Sequence, residues 1–308
     1  MSGLPRVTVV LSTFNAGEML GPQLMSLGEQ RGVSVRLVAR DDGSADGTDE
    51  RLAGQRYVAD AVVLGGSHMG SWRSYLHLLA HCGDAEYVAL CDQDNVWDVD
   101  KLLRAVTVLR TSEGGPVLYC GRLRYGGLSL QPLGLSPRPR RPIALGNALV
   151  ENVAPGPTIV MNRAGRELLA SQSPGFVVMH DAWAYLVFSA LGRVVYDDRP
   201  MMTYRLHAEN HVGLAPGRVA KWLRRLARSG AGYLDDHQRQ ARELLRVFGD
   251  RLRPEERDLV MAFVAEKDLW ASLTYPWHQC GVYRQQVSDD VVLRCMLSMS
   301  SIRALFAA

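Results

Sequence analysis

Hydrophobic residues in the first 110 positions form short continuous runs that alternate with helical patterns. The run at 7–12, VTVVLS, is rich in β-branched residues and has no polar alternation, which is typical of a strand buried on both faces of a parallel sheet. Leucines at 20, 24 and 27 then recur at the spacing of one helix face. The same order recurs three times, with strands at 35–39, 61–64 and 87–91 and helices at 45–55, 71–82 and 99–110. These units predict an α/β fold with a mostly parallel sheet flanked by helices.

The pattern changes in the last third of the chain. Two more strands are predicted at 158–162 and 193–198, and a helix is predicted from Asp181 to Leu191. After residue 207 the strand patterns stop, and the chain from Arg218 onward has helical periodicity. We therefore predict a boundary near 212–217, which divides the chain into an α/β domain at 1–215 and an appended α-helical region at 216–308.

The composition indicates the class of protein. The chain has 308 residues, of which 47% are hydrophobic and 22% charged, values that are ordinary for a soluble globular enzyme. The first residues lack a basic signal-peptide region, and Arg294 and Arg303 interrupt the apolar C-terminal stretch, so a cytoplasmic protein is expected. Five cysteines without a C-x-x-C pair predict reduced core residues. The Pro and Arg rich stretch at 135–142 predicts an exposed loop.

The positive charge is concentrated in one segment. Residues 216–253 contain ten Lys or Arg and four acids, so this segment carries +6 while the whole chain carries +3. Within it, 218–228 has an apolar face and a basic face. This pattern fits a peripheral contact with the inner face of a membrane, or a solvated helix that packs Trp222 onto the rest of the protein. A nucleic-acid partner is disfavoured because no nucleic-acid motif accompanies the arginines.

Candidate binding residues, most of them polar, follow three of the predicted strands at the point where each strand ends. They are Thr13, Phe14 and Asn15 after the first strand, Asp41 and Asp42 after the second, and Asp92 and Asp94 after the fourth. In an open α/β sheet the carboxyl ends of the strands form the ligand-binding edge. No G-x-G-x-x-G is present, and the glycine pair at 65 and 70 lacks the lysine of a P-loop, which disfavours hydride transfer and P-loop chemistry.

Four sequence stretches, in order, resemble the motifs of family 2 glycosyltransferases. They are TVVLSTFNAGEML, VARDDGSADGT, YVALCDQDNVWDVDKL and MHDAWAYLVFSALGRVVYDDRPMMTYRLHAEN. The D-Q-D-x-x-W, H-D-x-W and R-x-H-x-x-N variants look like the bacterial rhamnosyltransferase-like branch. The resemblance covers residues 5 to about 212. It implies a GT-A fold, a nucleotide diphosphate sugar donor, a divalent metal ion and inversion at the anomeric carbon.

For the metal, the resemblance implies that Asp94 is a direct ligand of Mg²⁺ or Mn²⁺ and that Asp92 contacts the ion through water or holds the ribose. Hard divalent cations held by one or two carboxylates also bridge phosphate oxygens, which is what a diphosphate leaving group needs. The structural alternative is that both acids cap the following helix. Asn95 departs from the family pattern, which often has a further acid at that position.

For the donor, the resemblance implies that an aspartate of the Asp41 and Asp42 pair accepts a hydrogen bond from a pyrimidine N–H, and we favour Asp41. Thr13 and Phe14 would form the floor of the base pocket, with Asn15 beside them. The alternative is turn chemistry, in which Gly43 supplies a positive φ and Ser44 or Asp46 starts the next helix.

The same resemblance implies that Asp181 is the catalytic base, a role that requires a carboxylate near the acceptor hydroxyl. His180 is a less favoured base, and an N-cap is the structural alternative for Asp181. Arg205 and His207 would close over the pyrophosphate, His207 also serving as a metal ligand. The side chains of Trp97, His180 and Trp183 are candidate contacts to sugar or acceptor, although both tryptophans fit a core position equally well.

The sequence analysis therefore predicts an inverting, metal-dependent glycosyltransferase. The motif style favours dTDP-rhamnose among dTDP- and UDP-sugar donors. The acceptor would be a glycan, a lipid-linked molecule or a small molecule, and the sequence does not distinguish them. A sugar-nucleotide-binding protein without turnover is the alternative, because of Asn95.

Overall fold

The computed structural model describes residues 3–112, 114–206, 232–265, 269–278 and 280–307. Strands and helices alternate through the first half, and helices follow residue 232. The strands are β1 Arg6–Thr13, β2 Ser34–Asp41, β3 Asp60–Leu64, β4 Tyr87–Cys91, β5 Val96–Trp97, β6 Val117–Gly121, β7 Arg124–Gly126, β8 Pro132–Leu135, β9 Val160–Asn162, β10 Arg193–Asp197 and β11 Met202–Arg205. The helices are α1 Leu20–Gly28, α2 Thr48–Ala53, α3 Ser71–Ala80, α4 Lys101–Arg110, α5 Leu145–Ala148, α6 Arg163–Ala170, α7 His180–Leu191, α8 Tyr233–Phe248, α9 Pro254–Val264, α10 Leu269–His278 and α11 Val287–Ala307.

The main sheet has the order β10-β6-β9-β4-β1-β2-β3. β1 is an interior strand, the fifth of seven in this order, and pairs in parallel with β2 and β4. Val9 and Leu11 of β1 are buried in one apolar cluster, with residues of α1 and α4, whereas Val10 is buried in a second cluster on the other face, with residues of α3 and α7. This burial on both faces explains the continuous apolar run. The predicted mostly parallel sheet is confirmed, with β9 as its antiparallel member between β4 and β6.

A second sheet, which the sequence pattern did not predict, has the order β5-β11-β7-β8. Its strands are two to four residues long. Segments this short contain no readable alternation of apolar and polar residues. The sheet matters for the site because β5 follows the Asp92 to Asp94 segment directly and pairs with β11, which ends at Arg205.

The helices after residue 232 pack onto the α/β part of the chain. Apolar residues of α8, among them Leu244 and Phe248, belong to the same buried cluster as Val10 of β1. The stretch at 135–142 is largely exposed, as predicted, but it is anchored, because the backbone N–H groups of Arg140 and Arg141 donate to Gln285 Oε1 at 2.8 Å. The predicted boundary near 212–217 lies outside the described residues.

Two smaller predictions can be compared with the structure. Four of the five cysteines are buried and free, as expected, while Cys295 is exposed, so the prediction of a core position is wrong for that residue. Within the described ranges, no helix combines the length and the apolar character needed to cross a bilayer.

Candidate active site

The carboxyl ends of β1, β2 and β4 meet at one edge of the main sheet. Thr13 is in register with Asp41, and Leu11 is in register with Cys91. The residues that follow these strands are therefore neighbours, as the strand-end argument predicted. The chemistry of this edge depends on which donors and acceptors each side chain already has.

Asp41 is a buried carboxylate that is fully occupied by protein donors. Its Oδ1 accepts hydrogen bonds from Thr13 Oγ1 at 2.9 Å and Ser44 Oγ at 2.6 Å, and its Oδ2 accepts from the N–H groups of Gly43 at 3.1 Å and Ser44 at 2.8 Å. Gly43 has φ +86°, which the turn requires and which glycine adopts without steric cost. Four donors fill the acceptor capacity of one carboxylate. The turn with Gly43 at positive φ, considered as an alternative, is therefore present in the structure. The other part of that alternative is wrong, because α2 begins at Thr48 with Gly47 as its N-cap, and neither Ser44 nor Asp46 starts it.

Asp42 is also buried, and it binds a different part of the chain. Its carboxylate pairs with the fully buried guanidinium of Arg40 and accepts the N–H groups of Met69 and Gly70, each at 2.9 Å. Burial alone would raise the pKa of Asp42, but the hydrogen bonds from Arg40, Met69 and Gly70 outweigh it and lower the pKa below its usual range. The pair thus anchors the segment after β3, a role that the sequence analysis missed.

The residues after β1 hold two neighbouring loops. Asn15, at φ 48°, donates its backbone N–H to Ser44 Oγ at 2.8 Å and accepts the Ala45 N–H on its side-chain oxygen at 3.0 Å. The backbone N–H of Phe14 donates to Gln93 Oε1 at 2.7 Å, and Gln93 Nε2 donates to the Phe14 carbonyl at 3.0 Å. Asn15 therefore supports the turn after β2, and Gln93 ties the tip of β1 to the segment between Asp92 and Asp94.

Asp92 and Asp94 differ from the pair after β2 because their electrostatic surroundings are negative. The Tyr75 hydroxyl lies 2.9 Å from Asp92 Oδ1 and 2.6 Å from the Cys91 carbonyl oxygen. Burial and then the charge of Asp94 raise the pKa of Asp92 to about 7, and Asp181 adds to this rise, while the hydrogen bond from Tyr75 opposes it. Its sequence neighbour Asp94 and the distant Asp181 are thus both close enough to influence Asp92.

These carboxylates fit a divalent cation whose remaining ligands come from a substrate. No group of three or more His, Cys, Asp or Glu side chains in the described ranges is placed to hold an ion. Mg²⁺ sites often have one or two protein carboxylates, with water and phosphate oxygens completing the shell. The raised pKa of Asp92 is caused first by burial and then by repulsion from Asp94, and a bound cation would relieve that repulsion. His207, the third predicted ligand, lies outside the described residues.

Arg205 fastens the Asp94 segment to the second sheet. Its Nε donates to the Asp94 carbonyl oxygen at 3.0 Å, its Nη1 donates to the Leu128 carbonyl, and its backbone N–H donates to Asn95 Oδ1 at 3.2 Å. Asn95 is fully buried. A carboxylate in its place would therefore be enclosed by protein and would not reach a bound ion through solvent. Arg205 lies beside the predicted metal pair, and one of its five guanidinium N–H donors holds the Asp94 backbone while another holds the Leu128 carbonyl.

Asp181 is in the first turn of α7, but it is not the N-cap, which is Met179. Its Oδ2 accepts the N–H of Gly156 at 3.0 Å, and its Oδ1 accepts the N–H of Ala182 at 2.8 Å. The N-cap alternative is therefore wrong, and the carboxylate instead links α7 to the turn before β9. Each carboxylate oxygen retains acceptor capacity after these two contacts.

His180 is buried beneath the site. Its ring stacks on Tyr75 with centroids 3.7 Å apart, and neither ring nitrogen has a hydrogen-bond partner among the described residues. Burial lowers the pKa of His180, which favours the neutral ring. A side chain on Gly156 would place its Cβ 2.7 Å from His180 Nε2, so glycine is needed there.

Trp97 and Trp183 are core residues in this structure. They are 3% and 1% exposed, and Lys101 Nζ lies 3.5 Å from the centre of the Trp97 ring, while Trp183 lies near Phe248. Neither indole presents a face to solvent. Of the two roles considered for these tryptophans, the structure supports core packing. Neither indole can stack on a sugar in this conformation.

Comparisons with known proteins agree with this fold. The profile of glycosyl transferase family 2 matches residues 8–164, just over half of the chain. The structure of S. aureus TarS 1-349 in complex with UDP-GlcNAc matches with a TM-score of 0.59 and 14% identity, covering 94% of this chain and 79% of that one. The mannosyltransferase PcManGT from Pyrobaculum calidifontis, in complex with GDP-Man and Mn²⁺, matches with a TM-score of 0.52 and 18% identity, covering 98% of this chain and 88% of that one.

A longer S. aureus TarS structure matches with a TM-score of 0.54 and 16% identity, and this chain spans 42% of its length while 84% of this chain is covered. No curated protein sequence matches the chain significantly. At these identities the structural likeness indicates the fold, and the predicted GT-A fold with an α-helical C-terminal region is confirmed.

Proposed function

Because the chain belongs to glycosyl transferase family 2 and is therefore a glycosyltransferase, we propose that it transfers a sugar from a nucleotide diphosphate sugar to an acceptor hydroxyl with inversion of the anomeric carbon. The proposed donor is a dTDP- or UDP-sugar, and dTDP-rhamnose is preferred from the motif style. The proposed acceptor is a glycan, a lipid-linked molecule or a small molecule.

The observation that carries this proposal is the group of three carboxylates at the carboxyl edge of the sheet. Asp92 and Asp94 come from the end of β4 and Asp181 from the start of α7, and the charges of Asp94 and Asp181 both raise the pKa of Asp92. Transfer from a diphosphate sugar needs negative side chains for a cation and a separate carboxylate for the acceptor proton. We assign these two roles to the three carboxylates.

Asp94 and Asp92 would hold Mg²⁺ or Mn²⁺, with His207 as a further ligand from outside the described residues. The chemistry that a divalent cation supplies when bound is neutralisation of the charge that develops on the departing diphosphate. Arg205 is proposed to add positive charge on the diphosphate side, and the contact of its Nε with the Asp94 carbonyl oxygen supports this placement. Asp41, Thr13 and Phe14 are proposed to lie around the nucleobase.

Asp181 is the proposed base. The N–H groups of Gly156 and Ala182 fix its two oxygens, so its carboxylate has a defined direction before any acceptor binds. The acceptor hydroxyl would give its proton to an oxygen of Asp181 while its own oxygen attacks the anomeric carbon.

The helical region at 216–308 is proposed as an accessory region to the catalytic domain at 1–215. The basic segment 218–228, which lies outside the described residues, is proposed to bring the enzyme to anionic lipid. A cytoplasmic location at the inner face of the membrane follows from that proposal.

The test is donor hydrolysis, because it needs no knowledge of the acceptor. Purified protein is incubated with dTDP-rhamnose, UDP-GlcNAc and GDP-mannose, with Mn²⁺ or with a chelator, and free nucleotide is measured. We expect metal-dependent release from at least one pyrimidine donor, and Asp94→Asn should lower it by at least about 100-fold. Asp84→Asn is the matched control, because Asp84 is an exposed carboxylate just before β4, at the opposite end of that strand. Donor binding without any release would favour the sugar-nucleotide-binding alternative.

A further inference from the structure

Two exposed aromatic side chains lie together at the mouth of the candidate site. Phe14 follows β1 and is 46% exposed, and the side chain of His68, between β3 and α3, is 60% exposed. Their ring centroids are 4.9 Å apart with an interplanar angle of 50°. Exposed aromatic faces beside a polar strand edge are suited to stacking on a planar ligand such as a nucleobase.

The position of His68 is fixed by the buried ion pair below it. Met69 and Gly70 donate their N–H groups to Asp42, and Arg40 Nη2 donates to the Ser67 carbonyl at 2.5 Å. A Cβ on Gly43 would lie 3.4 Å from the backbone nitrogen of His68, so the turn after β2 and this segment are in close contact. The imidazole is therefore solvent-exposed on a rigid backbone.

The hydrogen bonds of His68 also determine its tautomer. Its Nδ1 lies 3.0 Å from the Asp42 carbonyl oxygen and 3.1 Å from Asp42 Oδ2. Both oxygens are acceptors, so Nδ1 must carry the hydrogen. In the neutral ring Nε2 is then a hydrogen-bond acceptor.

The neighbouring carboxylates have little capacity for a ligand. Asp41 accepts four protein donors. Asp42 accepts from Arg40, Met69 and Gly70 and lies against His68. A ligand N–H that approaches this edge would have to displace one of these donors to reach either carboxylate, whereas His68 Nε2 can accept it without such a loss.

We propose that His68 and Phe14 form the base-recognition pair of the donor site, with Phe14 stacking on a pyrimidine and His68 Nε2 accepting its ring N3–H. This inference rests on the proposed pyrimidine nucleotide donor and assigns the N–H contact to His68 in place of Asp41. His68 belongs to the Gly65 to Gly70 segment, whose glycines have the spacing of a P-loop but which lacks the P-loop lysine.

The test compares UDP with N3-methyl-UDP, which lacks the N–H, by calorimetric titration in the presence of Mn²⁺. Wild-type protein should bind UDP about tenfold more tightly, the value of one well-formed hydrogen bond. In His68→Phe, which keeps an aromatic ring but has no acceptor, the two ligands should bind with similar affinity. Phe14→Leu should weaken both by a similar factor of about ten, because stacking does not depend on the N–H.

Two controls separate this role from a structural one. His81→Phe, at an exposed histidine just after α3, should leave both affinities unchanged, and binding of Mn²⁺ with inorganic pyrophosphate should be the same in His68→Phe and wild type. A preference for UDP over N3-methyl-UDP that persists in His68→Phe would overturn the assignment. The assignment would also be overturned if His68→Phe lost affinity for Mn²⁺ with pyrophosphate by the same factor as it lost affinity for UDP. Wild-type protein that binds neither UDP nor dTDP would overturn the pyrimidine donor itself, and this inference with it.

Discussion

Arg40 is the buried residue whose removal should test the architecture of the site most directly. It is 1% exposed at the end of β2, and its guanidinium contacts the Asp42 carboxylate, the Ser67 carbonyl oxygen and, at 3.2 Å, Ser74 Oγ. These contacts join β2, the segment after β3 and α3. We predict that Arg40→Met, which keeps an unbranched apolar stem, destabilises the fold and releases the segment that carries His68.

The magnitude follows from the charge that would be left behind. Removing one partner of a buried ion pair costs about 3–5 kcal/mol, because the other charge remains without compensation. Asp42 would keep the N–H groups of Met69 and Gly70, so we expect a loss in the free energy of unfolding near the lower end, about 3 kcal/mol. The double variant Arg40→Met with Asp42→Asn removes the stranded charge. It keeps an acceptor for one of the two N–H groups, because Met69 and Gly70 donate to different oxygens of Asp42 and the amide has a single acceptor oxygen. It should therefore recover part of the loss.

Urea unfolding at pH 7, followed by tryptophan fluorescence and circular dichroism, gives the free energies if the slope of the transition is unchanged. The native pKa of Asp42 is lowered, so its contribution to stability is complete above the unfolded carboxyl pKa, about 3.9, and is lost as the pH falls through the native value. The difference between wild type and Arg40→Met should therefore shrink in acid. A loss below about 1 kcal/mol at pH 7, or a double variant no more stable than the single one, would refute the reasoning.

Two further predictions concern the three carboxylates. Asp181→Asn preserves shape and can still accept the Gly156 N–H, but it cannot take a proton, so kcat should fall by about 100-fold or more with donor Kd retained. A normal kcat in steady-state assays would exclude a base role, and a lost donor Kd would indicate donor binding. Since the pKa of Asp92 is raised to about 7, Mn²⁺ affinity should weaken as the pH falls below 7, and at neutral pH binding should release protons. Without metal, the free energy of unfolding should fall as the pH rises from about 4 to 7. In this range Asp92 keeps its proton in the native state but has lost it in the unfolded state. Calorimetry in two buffers of different ionisation enthalpy measures the proton release, and a pH-independent Mn²⁺ affinity would count against Asp92.

The strands that form the centre of the fold could be predicted because burial on both faces leaves a clear mark on the sequence. The run at 7–12 lies within β1, and the turn residue Gly43 has the positive φ that was expected of it. Both features are local, since they depend on which residues sit within a few positions of one another. The second sheet has no such mark, because its strands are too short to show a period.

Contacts between distant segments could not be predicted from the sequence. Tyr75 has the spacing of an apolar helix residue, and nothing near it indicates that its hydroxyl reaches Asp92, 17 positions later. Lys101 looks like the solvent-facing residue of an amphipathic helix, yet it is 1% exposed, and burial lowers its pKa to about 7. Arg40 is ambiguous for the same reason, because a charged residue at a strand end usually faces water. Each of these side chains owes its position to packing that only the folded chain defines.

The two aspartate pairs illustrate why a motif alone does not assign chemistry. Asp41 and Asp42 are surrounded by donors, so their charge is already balanced and they hold the turn after β2 and the segment after β3 in place. Asp92 lies beside Asp94 and near Asp181, so burial and then repulsion make its ionised form costly. Because an ion that relieves repulsion gains more free energy than one that enters a neutralised site, we propose the end of β4 as the place at this edge where a cation and a diphosphate would bind together. The proposed role of the end of β2 is to support the segment against which the nucleobase would be positioned.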